Sequence, residues 1–418
     1  MLMRLFSTFC IALLPAIAWG QAPFRATYYV DGSVEKEQNR SHTSLESVEQ
    51  GASVVYATNE VELILTKMRL NKTSGSINDA DRRDTGRNSV IMADGGSMVY
   101  VEYCEVNSHT ERADGITASG TGTKVDVLEG KLTMSRGGSV AANATKGAYI
   151  NLQHPQVNTY SNQSSAFYTS DEGSLNVIEA VGATAGQASA LFYSSGHLVA
   201  EKCRMQAAKW TIGTVDGGTM HLEKNVVQSG GICGFLLYGN RTNNGHGQLE
   251  LAKNEITVGE GPLFLVTNTT ADITVTGNKI SSKSKELMSV RADDWGVKGA
   301  NGGKATLNVE KQSLSGSITV DSISSMQLNL RKGGKVNGQI NDKENRCAVA
   351  RVRLEAGSSW TSKGESHLTS IEFSQPVANG VKQLKGKHTI YYDPSDPANA
   401  PLQGKEYKTG GGKLVPLK

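Results

Sequence analysis

The chain has 418 residues, with 43 lysines and arginines against 40 aspartates and glutamates, for a net charge of +3. Acids and bases are interspersed, so there is no basic block and no long-range field to draw in a nucleic acid. With 46 glycines but only 9 prolines, the composition favours many tight turns in one continuous β architecture over domains strung on proline-rich linkers.

Residues 1–20 read as a secretory leader. Met1–Arg4 is a short basic start, Leu5–Ile17 an apolar core, and Ala18-Trp19-Gly20 supplies the small residues of a cleavage site near 20–22. The apolar run is too short to cross a bilayer, and no later stretch approaches the ~20 apolar residues that a spanning helix needs. The expectation is an exported, soluble protein, secreted or cell-surface associated, with no transmembrane segment. Residues 24–51 are expected to cap the fold that follows, with Tyr28-Tyr29-Val30 as a capping strand, because an open stack exposes unpaired strand edges.

From residue 63 to residue 359 an eight-residue pattern recurs about a dozen times. It reads apolar, any, apolar, two polar, one small or amide residue, any, apolar. Leu63–Leu70 is the first copy; Val99–Val106, Leu198–Met205, Met220–Val227, Leu249–Ile256 and Ile273–Ile280 follow. Alternation such as Leu63/Leu65, Val99/Val101 and Leu328/Leu330 has the period of a strand with one side chain in and the next out. Turn-rich segments such as Asp94-Gly95-Gly96-Ser97 and Asp216-Gly217-Gly218-Thr219 separate the copies. A template in register at intervals between 21 residues (Leu307 to Leu328) and 36 residues (Leu63 to Val99) is not the pattern of a β-sandwich. It predicts an all-β, right-handed, single-stranded parallel β-helix over residues 52–366, of about twelve coils at ~4.8 Å spacing. Residues 367–418 are expected to close the other end, with Ile390-Tyr391-Tyr392 as a capping strand.

The sixth template position is Cys203, Asn225, Asn254, Asn278 and Gln312 on successive coils, after Gly130, Pro155 and Ala180. An amide there can turn inward, satisfy a backbone group and bond the next amide in the stack, which predicts a structural ladder. Cys104 and Cys203 share this position about four coils apart, and Cys233 and Cys347 open other coils. Pairs separated by several coils exceed the ~7 Å Cα limit for a disulfide. All four are therefore expected to be buried thiols.

These coils resemble a large family of secreted bacterial parallel β-helix proteins of pectin-lyase-like fold, described as adhesin-like or autotransporter-passenger-like. The resemblance spans nearly the whole mature chain. It is carried by Gly261–Thr270, Asp294-Trp295-Gly296, Gly299–Gly303, Val320–Ser324, Ser359-Trp360-Thr361, His388–Asp393 and Gly410–Leu414. It implies the fold and a surface-associated role, and carries over no catalytic residues. The chain departs from true autotransporters in ending Pro416-Leu417-Lys418, without a barrel-forming segment.

Lyase chemistry on such a fold needs acids on adjacent coils to hold Ca²⁺, with a Lys or Arg as base. The outward residue of each strand forms a column: Ile64, Tyr100, Asp126, Asn151, Asn176, Val199, His221, Glu250, Thr274, Asn308, Asn329, Arg353. Its acids, Asp126 and Glu250, stand about five coils apart and cannot share a metal ion, and His221 reads as a solvated strand residue. No HExxH, GxSxG, CxxC or Walker motif is present, and no cofactor or metal is expected. The candidate ligand contacts are Asp293, Asp294 and Trp295, since an exposed indole stacks on a sugar ring. The alternative for Trp295 is packing over the loop after its coil. The reading is a non-enzymatic adhesin-like or glycan-binding protein, whose partner is an extended polysaccharide or a host or cell-surface component. A polysaccharide lyase or glycoside hydrolase is the alternative.

Overall fold

The computed structural model describes residues 24–78, 85–240, 245–345 and 348–417. The leader assigned to residues 1–20 therefore lies outside the described residues, as does Cys347. Among those described, no helix is long and apolar enough to cross a membrane.

The chain winds as a parallel β-helix in which each coil contributes one strand to each of three sheets. The first sheet has 12 strands, beginning with Arg25–Asp31 and ending with Ser317–Val320. The second has 14, from Glu37–Ser41 to Ser370–Phe373, and the third has 10, from Ser44–Ser47 to Lys279–Ser282. A further four-stranded sheet, begun by Ser313–Ser315, takes over the third side. Another, containing Thr389–Tyr392, forms the C-terminal end. Pairing is parallel except where Tyr407–Lys408 runs against Lys413–Pro416.

The count of about twelve coils is corrected to about fifteen. The template misses the first coil because its second-sheet strand carries Gln38 and Arg40 where the next coil has Leu63 and Leu65. Among the described residues no strand pairs with the other side of Glu37–Ser41, so these positions need not be apolar, and the Arg40 guanidinium lies 4.4 Å from the centre of the Tyr28 ring. Strands at the other end, such as Ser366–Leu368 and Thr389–Tyr392, likewise fall outside the template.

Inward side chains form one continuous core from Val30 to Leu414. In the first sheet Phe167 and Phe192 stack with ring centres 5.8 Å apart, and Phe235 and Phe264 follow at 5.9 Å. Gly213 interrupts the column by necessity, because a Cβ there would sit 2.8 Å from both Phe235 and the Met220 sulfur.

The corner between the second and third sheets repeats one conformation. Its fifth template residue is left-handed in coil after coil: Lys67, Tyr103, Glu129, His154, Glu179, Lys202, Lys224 and Lys253 have φ between 51° and 57°. A non-glycine residue there costs ~1–2 kcal/mol. Each of these N–H groups donates to a carbonyl of the next coil, as from Lys67 to Glu102 at 2.8 Å and from Lys202 to Glu223 at 3.1 Å. The bend thus keeps the coils bonded.

The sixth residue follows and points inward. The Cys203, Asn225 and Asn254 N–H groups donate to the Oδ1 atoms of Asn225, Asn254 and Asn278 at 2.8, 2.9 and 2.9 Å. The Asn278 N–H donates to Gln312 Oε1. Each asparagine Nδ2 also donates to a carbonyl of the preceding coil: Asn225 to Ala200, Asn254 to Leu222 and Asn278 to Leu251. The amide ladder is therefore present in the predicted register. Cys104, Cys203 and Cys233 are buried free thiols, and burial pushes the Cys203 thiol up to about 12. A second ladder, of serines at the corner before the first sheet, has no counterpart in the sequence reading. The Ala113, Ser139 and Ser164 N–H groups donate to the Oγ atoms of Ser139, Ser164 and Ser189.

Candidate functional site

The second sheet changes width along the stack. From Glu62–Thr66 to Thr219–Glu223 its strands have 5 residues, whereas His246–Ala252, Thr270–Thr276, Lys304–Glu310 and Ser325–Arg331 have 7. Strict alternation persists through the added residues, with His246, Gln248 and Glu250 outward and Gly247, Leu249 and Leu251 inward. The longer strands therefore add outward positions on the N-terminal side of the column read from the sequence.

Where the sheet widens, acids and histidines meet. His221 is the register partner of Glu250, and its Nδ1 lies 3.1 Å from a Glu250 carboxylate oxygen; its Nε2 is 3.9 Å from Glu223. His246 Nε2 lies 2.7 Å from Asp272, which stands in the coil after Glu250, two positions off the column. His221 is the outward, partly exposed strand residue that the sequence suggested, and it also has acidic neighbours that the sequence reading did not anticipate. Asp126 and Glu250 are indeed far apart, but the relevant neighbour of Glu250 is a base on the preceding coil. Reading one outward column misses Asp272 and His246. Extending the alternation two residues back from Thr274 and four back from Glu250 would have found them.

Of these, His221, Glu250 and Asp272 line a groove of about 470 Å³ whose walls also include Thr219, Gln248, Thr274, Thr306, Asn308 and Arg331. Its carboxylates are open to solvent, with Glu250 59 % and Asp272 44 % exposed. Glu223, at its flank, is held below the usual carboxylate range by hydrogen bonds from Lys224 and Lys253. Before the groove the face is self-bonded, Asn176 donating to Asn151 at 2.9 Å and Asn151 to Asp126 at 3.1 Å, and at its far wall Asn308 accepts from Asn329 at 3.0 Å. The Lys124 ammonium is pushed up by its hydrogen bond to Asp126.

Asp293, Asp294 and Trp295 lie elsewhere, on the segment between Glu286–Val290 of the first sheet and Lys304–Glu310 of the second. One Asp293 oxygen accepts from Arg291 Nη2 at 3.1 Å and the other from the Asp294 N–H at 2.9 Å. Trp295 is half-buried, edge-on to Tyr238 with ring centres 5.0 Å apart, over a small apolar cluster of Cys233, Leu236 and Leu265 outside the first sheet. Asn301 fastens the loop by donating to the carbonyls of Asp293 and Trp295. The three residues are together, as expected for sequence neighbours, but none lines the second-sheet groove. Among the described residues, no group of three or more His, Cys, Asp or Glu side chains is arranged to hold a metal ion.

The arrangement defines a parallel β-helix with one widened, polar strand face. No known protein family, no curated protein and no solved structure matches this chain.

Proposed function

We propose that this is an exported, non-enzymatic, adhesin-like protein that binds an extended glycan along the widened face of the second sheet. The observation that carries the reading is the groove itself. It presents a histidine, carboxylates, amides, hydroxyls and an arginine at regular strand spacing on a rigid surface, and such a row of fixed donors and acceptors suits a chain of repeating hydroxylated units. Sugar rings laid across the strands would meet His221, Glu250 and Thr274 on three successive coils. The leader assigned to residues 1–20 supports export.

The His221–Glu250 and His246–Asp272 pairs favour a second reading, hydrolysis of a glycosidic bond by two carboxyl groups. A general-acid carboxyl needs dry surroundings to hold its proton near neutrality, and the exposure of Glu250 and Asp272 argues for binding instead. A glycan array, run beside reducing-sugar and unsaturated-product assays on acidic and neutral polysaccharides, tests both readings. Binding that is lost in His221→Ala and Asp272→Ala, without turnover, is the expected result. Turnover abolished by Glu250→Gln would overturn it in favour of the enzyme.

A further inference from the structure

The third side of the helix contains a break. Lys279–Ser282 pairs with Glu255–Val258 on one side, but among the described strands it has no partner on the other. The equivalent strand of the next coil, Ser313–Ser315, starts a separate sheet with Lys335–Asn337. The corner that follows Ser313–Ser315 is tight. Gly316, at φ 130°, packs where a Cβ would come within 2.6 Å of the Leu287 nitrogen, a conformation that suits glycine alone. The chain therefore passes from Ser315 to the first-sheet strand Ser317–Val320 through a single residue, with a register shift between Glu286 and Met288. From this coil on, the third side is cut short, leaving Lys279–Ser282 as a ledge.

The ledge offers main-chain groups. The Lys279 and Lys283 N–H groups point back, donating to Asn254 and Val258 at 2.8 and 3.1 Å. Strand alternation therefore turns the N–H and C=O of Ile280 and Ser282 toward the break. The Asn278 carbonyl, whose equivalent Cys104 accepts from the Lys131 N–H on the next coil, is taken instead by Gln312 Nε2 at 3.0 Å. A cavity of about 810 Å³ opens here, lined by Ile280, Ser282, Ser313, Ser315, Lys285 and Lys363. Both lysines are exposed; Glu286, half-buried, is the one acid in the lining.

We propose that this notch is a docking site for an extended, acidic peptide segment of a partner protein. The segment adds as a strand to Lys279–Ser282 and sets its carboxylates against Lys285 and Lys363. A free strand edge recognises main chain, the alternate side chains supply selectivity, and the excess of positive charge in the lining selects the sign of those side chains. The notch shares no lining residue with the second-sheet groove, so the two sites are separable.

The test uses the full chain and two fluorescein-labelled octapeptides, one alternating threonine with glutamate and one alternating threonine with lysine, followed by anisotropy. The glutamate peptide should bind saturably and about tenfold more tightly than the lysine peptide. Ser282→Pro removes an N–H that faces the notch and should weaken binding about tenfold. Lys285→Glu with Lys363→Glu should reverse the preference, and this holds as a test even if the proline variant folds poorly. Three outcomes would overturn the proposal: absence of saturable binding, binding indifferent to both sets of substitutions, or self-association of the protein that Ser282→Pro abolishes. In the last case the edge serves a second copy.

Discussion

From Met68 to Ala180 the corner between the second and third sheets is filled by a thioether, a thiol, a glycine, a proline and an alanine, whereas from Asn225 to Gln312 it is filled by four amides in register. Both halves face the same demand, because the chain bends there from one sheet into the next and its buried backbone groups need partners. The first half meets it piecemeal. The Met68 N–H donates to the Cys104 sulfur at 3.3 Å, and Pro155 has no N–H to satisfy. The second half meets it with side chains that bind each other as well as the backbone. That half is also where the second sheet widens and the third sheet breaks. Across the break between Lys279–Ser282 and Ser313–Ser315, strand pairing is absent, yet Asn278 and Gln312 remain joined by hydrogen bonds from the Asn278 N–H and from Gln312 Nε2. The ladder keeps the coils in register where the sheet does not.

The largest expected effect tests this contrast directly. Asn254→Ala leaves the Asn225 N–H and the Leu222 carbonyl without their partners, and should cost on the order of 3 kcal/mol in denaturant melts. A loss below about 0.5 kcal/mol would show that the amides are not what secures this half.

Lys72 gives a pH signature to the other half. Its side chain is fully buried, donating to Ser47 Oγ at 3.3 Å and to the Glu49 carbonyl. Burial pushes its ammonium down to about 8 from an ordinary 10.5. Between those values the unfolded chain holds more protons than the folded one, so stability should rise with pH across that window, by an amount on the order of 2 kcal/mol. Below pH 8 both states are protonated and the cost of the buried charge is carried in full. Lys72→Met should remove this difference between melts at pH 7.5 and pH 10; an unchanged slope would place the charge in water.

A smaller, steric effect is expected at the glycine of the first-half corner. A Cβ on Gly130 would come within 2.7 Å of Val127 Cγ1, so Gly130→Ala should cost about 1 kcal/mol by overpacking. Tolerance without loss would mean that this corner is looser than the amide corner. Least of all should come from the outside of the second sheet. Asn308→Ala loses one bond with Asn329 and should change stability by less than about 0.5 kcal/mol. Equal effects of Asn254→Ala and Asn308→Ala would undo the distinction between inward and outward amides.

Much of this was legible in residues alone. Alternation at Leu63/Leu65 and its repeats reports which side chains face the core, since a strand has period two wherever it lies. The run Asn225, Asn254, Asn278, Gln312 was recognisable because identical coils place identical template positions above one another. The first coil was not recognisable, because Gln38 and Arg40 lie on the edge strand of the second sheet among the described residues, where apolar residues are not required. The pairing of His246 with Asp272 was missed because both precede the eight-residue template, His246 in the residues by which its strand lengthens and Asp272 at the position that Thr219 opens in the shorter strand.

What the sequence by itself determined is therefore whatever repeats within one coil: the strand period, the inward residue at the corner, and the parallel stack these impose. Only the tertiary structure decided what depends on how one coil differs from the next. Where the second sheet widens and the third breaks, which base meets which acid, and that Trp295 leans on Tyr238 are of this kind. The physical reason is that in-coil relations follow from backbone geometry over a few residues. Relations between coils follow from packing and hydrogen bonding between segments some 21 to 36 residues apart, which no local pattern encodes.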